Sequence, residues 1–161
     1  MSSLEDADRE LGRLARELPP GAEMVVTADH GMIDVTGAPR WDIGKHEVLA
    51  QDVILVAGEP RALHLHLRSG TDPETVAARW QEVLGDHAVV MTRDEAERGG
   101  IFGVVDDIPR QRLGDVIVAM AGRATVVDSR SQSAGSMALV GVHGSLTPEE
   151  LIVPLLIASA T

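Results

Sequence analysis

The stretch EMVVTADHGMIDV, residues 23 to 35, decides how the rest of the chain is read. Met24-Val25-Val26-Thr27 is apolar or β-branched at consecutive positions, as in a strand buried on both faces of a mainly parallel sheet. It runs straight into Asp29-His30-Gly31. In open α/β sheets the loops beyond the carboxyl ends of the strands carry ligand sites, so a carboxylate beside an imidazole here raises the question of chemistry. Adjacent Asp and His can both ligate a divalent cation from a loop, although in a regular strand they would face opposite ways. Taken alone, D-H-G is more often a plain Asx-type turn.

Working outward, helices and strands alternate. Leu4, Leu11, Leu14 and Leu18 recur at helical spacing among charges until Pro19-Pro20-Gly21 stops them, and the acidic run Glu5-Asp6-Ala7-Asp8 reads as a solvated helix face. Val53 to Ala57 and Ala62 to Leu67, separated by GEPR, predict a hairpin. Thr71-Asp72-Pro73-Glu74 has the T-x-x-E form of a capping box and opens a helix through VAARWQEVL to Gly85. A strand at 89 to 91 and a short helix, RDEAERGG, come next. The run GDVIVAMAGRATVVDS reads as a second hairpin, and SRSQSAGSM, 129 to 137, as a mobile polar loop. Thr147-Pro148-Glu149-Glu150 is another T-x-x-E, with Pro at the first helical position, before an apolar strand-like tail. The expectation is an α/β fold with a mixed, mainly parallel sheet, flanking helices and β-hairpin insertions, formed by residues 1 to 161 as a single domain.

Composition narrows the function. Fourteen basic residues face 25 acidic ones, a net charge of −11, which repels phosphate backbones and argues against nucleic-acid binding. With no cysteine there is no disulfide, thiolate metal site or Cys nucleophile. The N-terminal residues lack the basic and apolar regions of a signal peptide, and LIVPLLIAS at 151 to 159 is too short to span a bilayer, so the chain is expected to be soluble, without a membrane partner, and cytoplasmic by default.

A second stretch, GVHGSLTPEELIVPLL at 141 to 156, sets a lone His143 between two glycines just before a capped helix. Together with VTADHGMIDV it resembles the C-terminal portion of the alkaline phosphatase superfamily, in its nucleotide pyrophosphatase/phosphodiesterase-like branch. GEPRALHLHL, ARWQEVLGDHAVVMTRDEAERGGIFG and RLGDVIVA fit the same branch, so the resemblance covers nearly the whole chain. It implies a partial alkaline phosphatase-like fold and a site for two zinc ions that hold a phosphoryl group between them and activate a Thr or Ser nucleophile. By that resemblance Asp29 and His30 match the pair that ligates the metal bearing the nucleophile, and His143 matches a ligand of the other metal.

The same pattern includes, upstream of the DHG motif, a further Asp ligand, the nucleophile and a D-x-x-x-H pair. None has a counterpart among the 28 residues before Asp29. Two ligands to one metal and one to the other fall short of the about three protein ligands that catalytic zinc takes. No catalytic residue is therefore assigned. Thr27 lies on the strand before the metal loop, and Ser131, Ser133, Ser136 and Ser145 have no recognisable neighbouring base.

The expected function is the C-terminal portion of a metal-dependent phosphodiesterase or pyrophosphatase, acting on a phosphoester or nucleotide once an N-terminal portion completes it. The alternative is a catalytically inactive stand-alone binding or structural module, and a stand-alone hydrolase ranks third. Strand edges left open by a missing half would favour a homo-oligomer. His64 and His66 share a strand face and read as half-exposed strand histidines, and His46 as a surface residue. Asp34 either orients His30 or is a turn residue. Gly99, Gly100 and Gly103 lack a phosphate-loop fingerprint and read as punctuation.

Overall fold

The computed structural model describes residues 3 to 160. In chain order the elements are α1 (Ser3–Arg16), β1 (Glu23–Thr27), β2 (Ile33–Asp34), β3 (Arg40–Asp42), α2 (Glu47–Ala50), β4 (Val53–Glu59), β5 (Ala62–Leu67) and α3 (Pro73–Leu84). There follow β6 (Ala88–Thr92), α4 (Arg93–Arg98), α5 (Asp107–Arg112), β7 (Val116–Met120), β8 (Thr125–Val127), α6 (Ala134–Met137), β9 (Gly141–Val142), α7 (Pro148–Leu151) and β10 (Leu155–Ser159). The α/β class expected from the sequence is the one found. The chain divides into two compact units, one of residues up to Asp29 with Ile152 onward, the other His30–Leu151.

The second unit is built on a four-stranded antiparallel sheet in the order β4-β5-β7-β6. Along β5, Leu63, Leu65 and Leu67 are buried while Ala62, His64 and His66 are half-buried, the two-residue period of a strand with one core face. Helix α3 packs against β6 and β7 and buries Val76, Ala77, Trp80 and Leu84. Those positions recur at i, i+1, i+4 and i+8, one stripe of a helix. With three aromatic residues in the chain, Trp80 is the largest fully buried side chain, and it belongs to one core with the buried aliphatic residues Ile43, Leu49, Leu65, Val116 and Val118.

The first unit is smaller. Strand β1 pairs antiparallel with β10, Glu23 opposite Ser159 through Thr27 opposite Leu155, and Arg13 of α1 pairs with Glu10 at 3.1 Å.

Four local expectations change. Parallel pairing is found only between β3 and β8 among the described residues, and β1 alternates exposed and half-buried residues beside one antiparallel neighbour. Consecutive β-branched residues report two apolar faces, not the direction of the partner strand. The segment 114 to 129 is not a hairpin: β7 lies between β5 and β6, while β8 leaves to pair with β3. The cap of α3 is Asp72, whose carboxylate accepts from the N–H groups of Glu74 and Thr75, and the reciprocal capping box is instead Thr92 with Glu95 on α4. The polar segment 129 to 137 contains α6, capped by Ser133.

Candidate active-site loops

Strands β2 and β9 pair antiparallel, Ile33 opposite Val142 and Asp34 opposite Gly141. That two-residue ladder lies between the motifs: His30 leads into β2, and His143 leaves β9. The two imidazoles stack with ring centroids 3.6 Å apart and an interplanar angle of 15°. His30 Nδ1 lies 2.8 Å from the Gly31 carbonyl oxygen. A carbonyl only accepts, so in the neutral ring Nδ1 carries the proton and Nε2 the lone pair.

Both histidine loops are held at glycines. The Gly31 N–H donates to the Glu150 carbonyl at 2.8 Å, and a β-carbon on Gly31 would fall inside contact distance of the Glu149 carbonyl oxygen. Gly144, next to His143, has φ +120°, and a β-carbon there would lie 2.8 Å from Glu59 Cβ at the β4–β5 turn. Two charged residues that sequence reasoning passed over sit behind these loops. Arg61 in the β4–β5 turn is 0% exposed and Glu150 on α7 is 2% exposed. Arg61 Nε donates to Glu150 Oε1 at 2.7 Å and Nη2 to Oε2 at 2.9 Å, a bidentate pair. Burial pushes the Glu150 carboxyl up, but hydrogen bonds from Arg61, Thr147 and the Ser145 N–H outweigh it and hold the group below its ordinary value.

Of the three residues assigned as ligands, the second unit contains His30 and His143 and brings their rings together; Asp29 is the last residue of the first unit. Among the described residues there is no group of three or more His, Cys, Asp or Glu side chains arranged to hold a metal ion. The donor chemistry of the histidine pair suits zinc, but as a contribution to a site and not as a complete one.

The other candidates resolve differently. Asp34 ends β2, and its side chain closes the turn that follows: its Oδ1 accepts from the Thr36 N–H at 2.7 Å, which holds its carboxyl below the usual range, and Arg123 Nε donates to its carbonyl. His64 is half-buried and its Nδ1 accepts from the Gly114 N–H at 3.2 Å, while burial and the neighbouring His66 lower its pKa. His46 is half-buried, not a fully exposed surface residue, and its Nδ1 has no hydrogen-bond partner. Ser145 Oγ donates to the Met120 carbonyl at 2.6 Å, and Ser133 accepts from the Ser136 N–H. A polar depression of about 350 Å³ lies on the second unit near Asp72, Thr92, Arg93 and Arg110, and its lining includes neither His30 nor His143. There Arg93 is paired with Asp115, and Arg110 with Asp94 and Glu97.

Comparison with known proteins places these loops in a wider pattern. No curated protein sequence matches the chain. Among solved structures, phosphonoacetate hydrolase from Sinorhizobium meliloti 1021, in complex with phosphonoformate, is similar at 26% identity and TM-score 0.65, over 94% of this chain and 38% of that one. Human ectonucleotide pyrophosphatase / phosphodiesterase 5 is similar in fold at TM-score 0.73 and 15% identity, over 96% of this chain and 39% of that one. The murine counterpart, an inactive form in complex with AMP, gives TM-score 0.72 at 16% identity, over 96% of this chain and 39% of that one. This chain thus spans about two fifths of the length of these proteins. Its fold corresponds to a part of the alkaline phosphatase-like fold. The family model for type I phosphodiesterases / nucleotide pyrophosphatases matches residues 2–146, a span that takes in both histidine loops, and the chain belongs to that family.

Proposed function

We propose that the chain contributes ligands to the two-zinc centre of a phosphoester hydrolase, with His30 and Asp29 serving one metal and His143 the other, and that the nucleophile and remaining ligands come from a segment beyond these 161 residues. The observation that carries this reading is the pairing of the two histidine loops, which brings the His30 and His143 rings to 3.6 Å. Bound zinc would polarise the phosphoryl oxygens and make the nucleophile more acidic. The chain's own residues orient the donors. The Gly31 carbonyl holds the proton at His30 Nδ1 and so leaves the Nε2 lone pair for a metal, the usual tautomer logic of a metal-binding histidine. The substrate class that fits is a phosphodiester or nucleotide pyrophosphate, and the similarity to a phosphonoacetate hydrolase extends it to phosphonates.

Zinc competition against a chromogenic chelator tests the assignment directly. Three ligands split between two metals should give the isolated chain weak binding, and replacing His30 and His143 together by Ala should abolish it. Equal zinc affinity in wild type and the double variant would overturn the assignment and favour the reading of the chain as a binding or structural module.

A further inference from the structure

We infer that the buried Arg61–Glu150 ion pair is the positioning device of the histidine pair, a single anchor to which both histidine loops are tied. The zinc consequence rests on the proposed function, whereas the geometric one does not.

The hydrogen bonds of Glu150 carry the inference. Its Oε1 accepts from the Ser145 N–H at 3.0 Å as well as from Arg61, and its Oε2 accepts from Thr147 Oγ1 at 2.5 Å. Ser145 and Thr147 stand two and four residues after His143, so the carboxylate grips the loop that carries that ring. Its backbone carbonyl takes the Gly31 N–H at 2.8 Å, one residue after His30. One residue thus holds both loops, each within two residues of its imidazole.

Arg61 in turn fixes Glu150. Besides the bidentate pair, its Nη1 donates to the Ala124 carbonyl at 2.7 Å and its Nη2 to the Met120 carbonyl at 3.3 Å. Met120 ends β7, and its carbonyl also accepts from Ser145 Oγ. The guanidinium therefore anchors the loop assembly to the rigid four-stranded sheet.

Stability alone is a poor reason for such a pair. Removing two full charges from water is costly, and apolar residues of similar volume commonly replace a buried ion pair with no loss of stability. What an apolar pair cannot supply is direction. A carboxylate bonded at both oxygens to four donors sets the path of the loop after His143 to within hydrogen-bond tolerance, and residues that orient metal ligands in this way typically change metal affinity by about 10- to 100-fold when removed.

The test is the double variant Arg61→Met, Glu150→Leu in the full chain, read by NMR of the histidine rings without added metal and by zinc competition. Stacked imidazoles shift one another's carbon-bound protons and give ring-to-ring cross-peaks. The expected result is a folded protein with a melting temperature near wild type, loss of the His30–His143 cross-peaks, and zinc affinity reduced about 10-fold or more. Unchanged ring shifts and cross-peaks in the folded double variant would overturn the inference. If the double variant does not fold, Thr147→Val, which removes one bond to Glu150 and leaves both charges, provides the reading. It should weaken the cross-peaks and reduce zinc affinity about threefold, less than the about 10-fold for loss of a whole orienting partner, because one of the four bonds to the carboxylate is removed. Unchanged cross-peaks in Thr147→Val would then overturn the inference. Failure of the wild type to bind zinc would sink the proposed function while leaving the NMR result to decide the positioning role.

Discussion

The strand ribbon of the first unit and the four-stranded sheet of the second are made of the same residue types and end in opposite states. In the second unit β5 and β7 bury Leu63, Leu65, Leu67, Val116, Ile117 and Val118. In the first, Val25, Leu155, Leu156 and Ile157 stay 57 to 67% exposed, and no described hydrophobic residue is fully buried. Intrinsic strand preference is therefore not what separates them. A two-stranded ribbon has too little partner surface to bury its apolar side chains, whereas a third and fourth strand with a helix across them supply it. The comparison locates the folding energy in the second unit and an unmet demand for burial in the first.

Truncating the core should produce the largest effect. Trp80 is 0% exposed, and Trp80→Ala should cost about 3–5 kcal/mol, a large fraction of the stability of a small domain. Urea unfolding followed by circular dichroism measures it. A loss below about 1 kcal/mol would mean the second unit is not where cooperative stability resides.

Acid lability should come from the same unit with a smaller amplitude. Burial raises the Asp42 carboxyl, but the Ser129 N–H, Lys45 and the Gly44 N–H lower it further, to about 2. A folded-state pKa below the unfolded one means the stabilisation is fully present above about pH 4 and is lost as pH falls toward 2. With part of the site solvated, its size is on the order of 1 kcal/mol. Asp42→Asn should therefore unfold at the same denaturant concentration at pH 7 and pH 3.5 more nearly than wild type does. Glu150, also held below its ordinary value, adds to the wild-type slope in the same direction and is untouched by this variant. An unchanged slope in Asp42→Asn would assign the acid lability to Glu150 or another group.

What could be read from the sequence follows the same division between local and distant causes. The β4–β5 hairpin, α3 and the short helix after Thr92 are set by patterns within a few residues, and they form where those patterns place them. Partner choice is not local. Residues 116–120 and 125–127 carry a hairpin's composition around Gly122, yet the first strand is claimed by β5 and β6 and the second by β3. The histidine motifs were visible because each sits in a glycine-rich turn, but Arg61 and Glu150 were not. One looks like a hairpin-turn arginine and the other like a surface carboxylate of a T-x-x-E cap, and 89 residues separate them. Only the fold makes them partners.

Charging the ribbon should have little effect on stability and more on association. We expect the open apolar face to drive self-association in the micromolar range, since exposed apolar strands with free edges recruit other chains. Ile157 is 64% exposed and stands opposite Val25, so Ile157→Lys should change unfolding by no more than about 0.5 kcal/mol while shifting sedimentation toward the monomer. A wild-type chain that sediments as a clean monomer would show that the ribbon's exposure is tolerated without a partner.

The smallest expected effect is on hydrolysis. Among the described residues no three-ligand metal group is formed, and Ser145, the serine nearest the second histidine, is 4% exposed and bonded to a backbone carbonyl. With added zinc, the isolated chain should hydrolyse bis-p-nitrophenyl phosphate no faster than the Asp29→Ala, His30→Ala variant, because a centre with ligands missing binds metal too weakly to activate water. Turnover in wild type that disappears in the variant would show instead that these few ligands suffice with water as nucleophile. If the wild type is inert, adding a segment that carries a Thr nucleophile and a D-x-x-x-H pair should restore turnover, and loss of Asp29, His30 and His143 together should remove it again. Restored turnover that survives that triple replacement would place the metal elsewhere, and the pairing of the two histidine loops would then be a packing contact rather than a ligand arrangement.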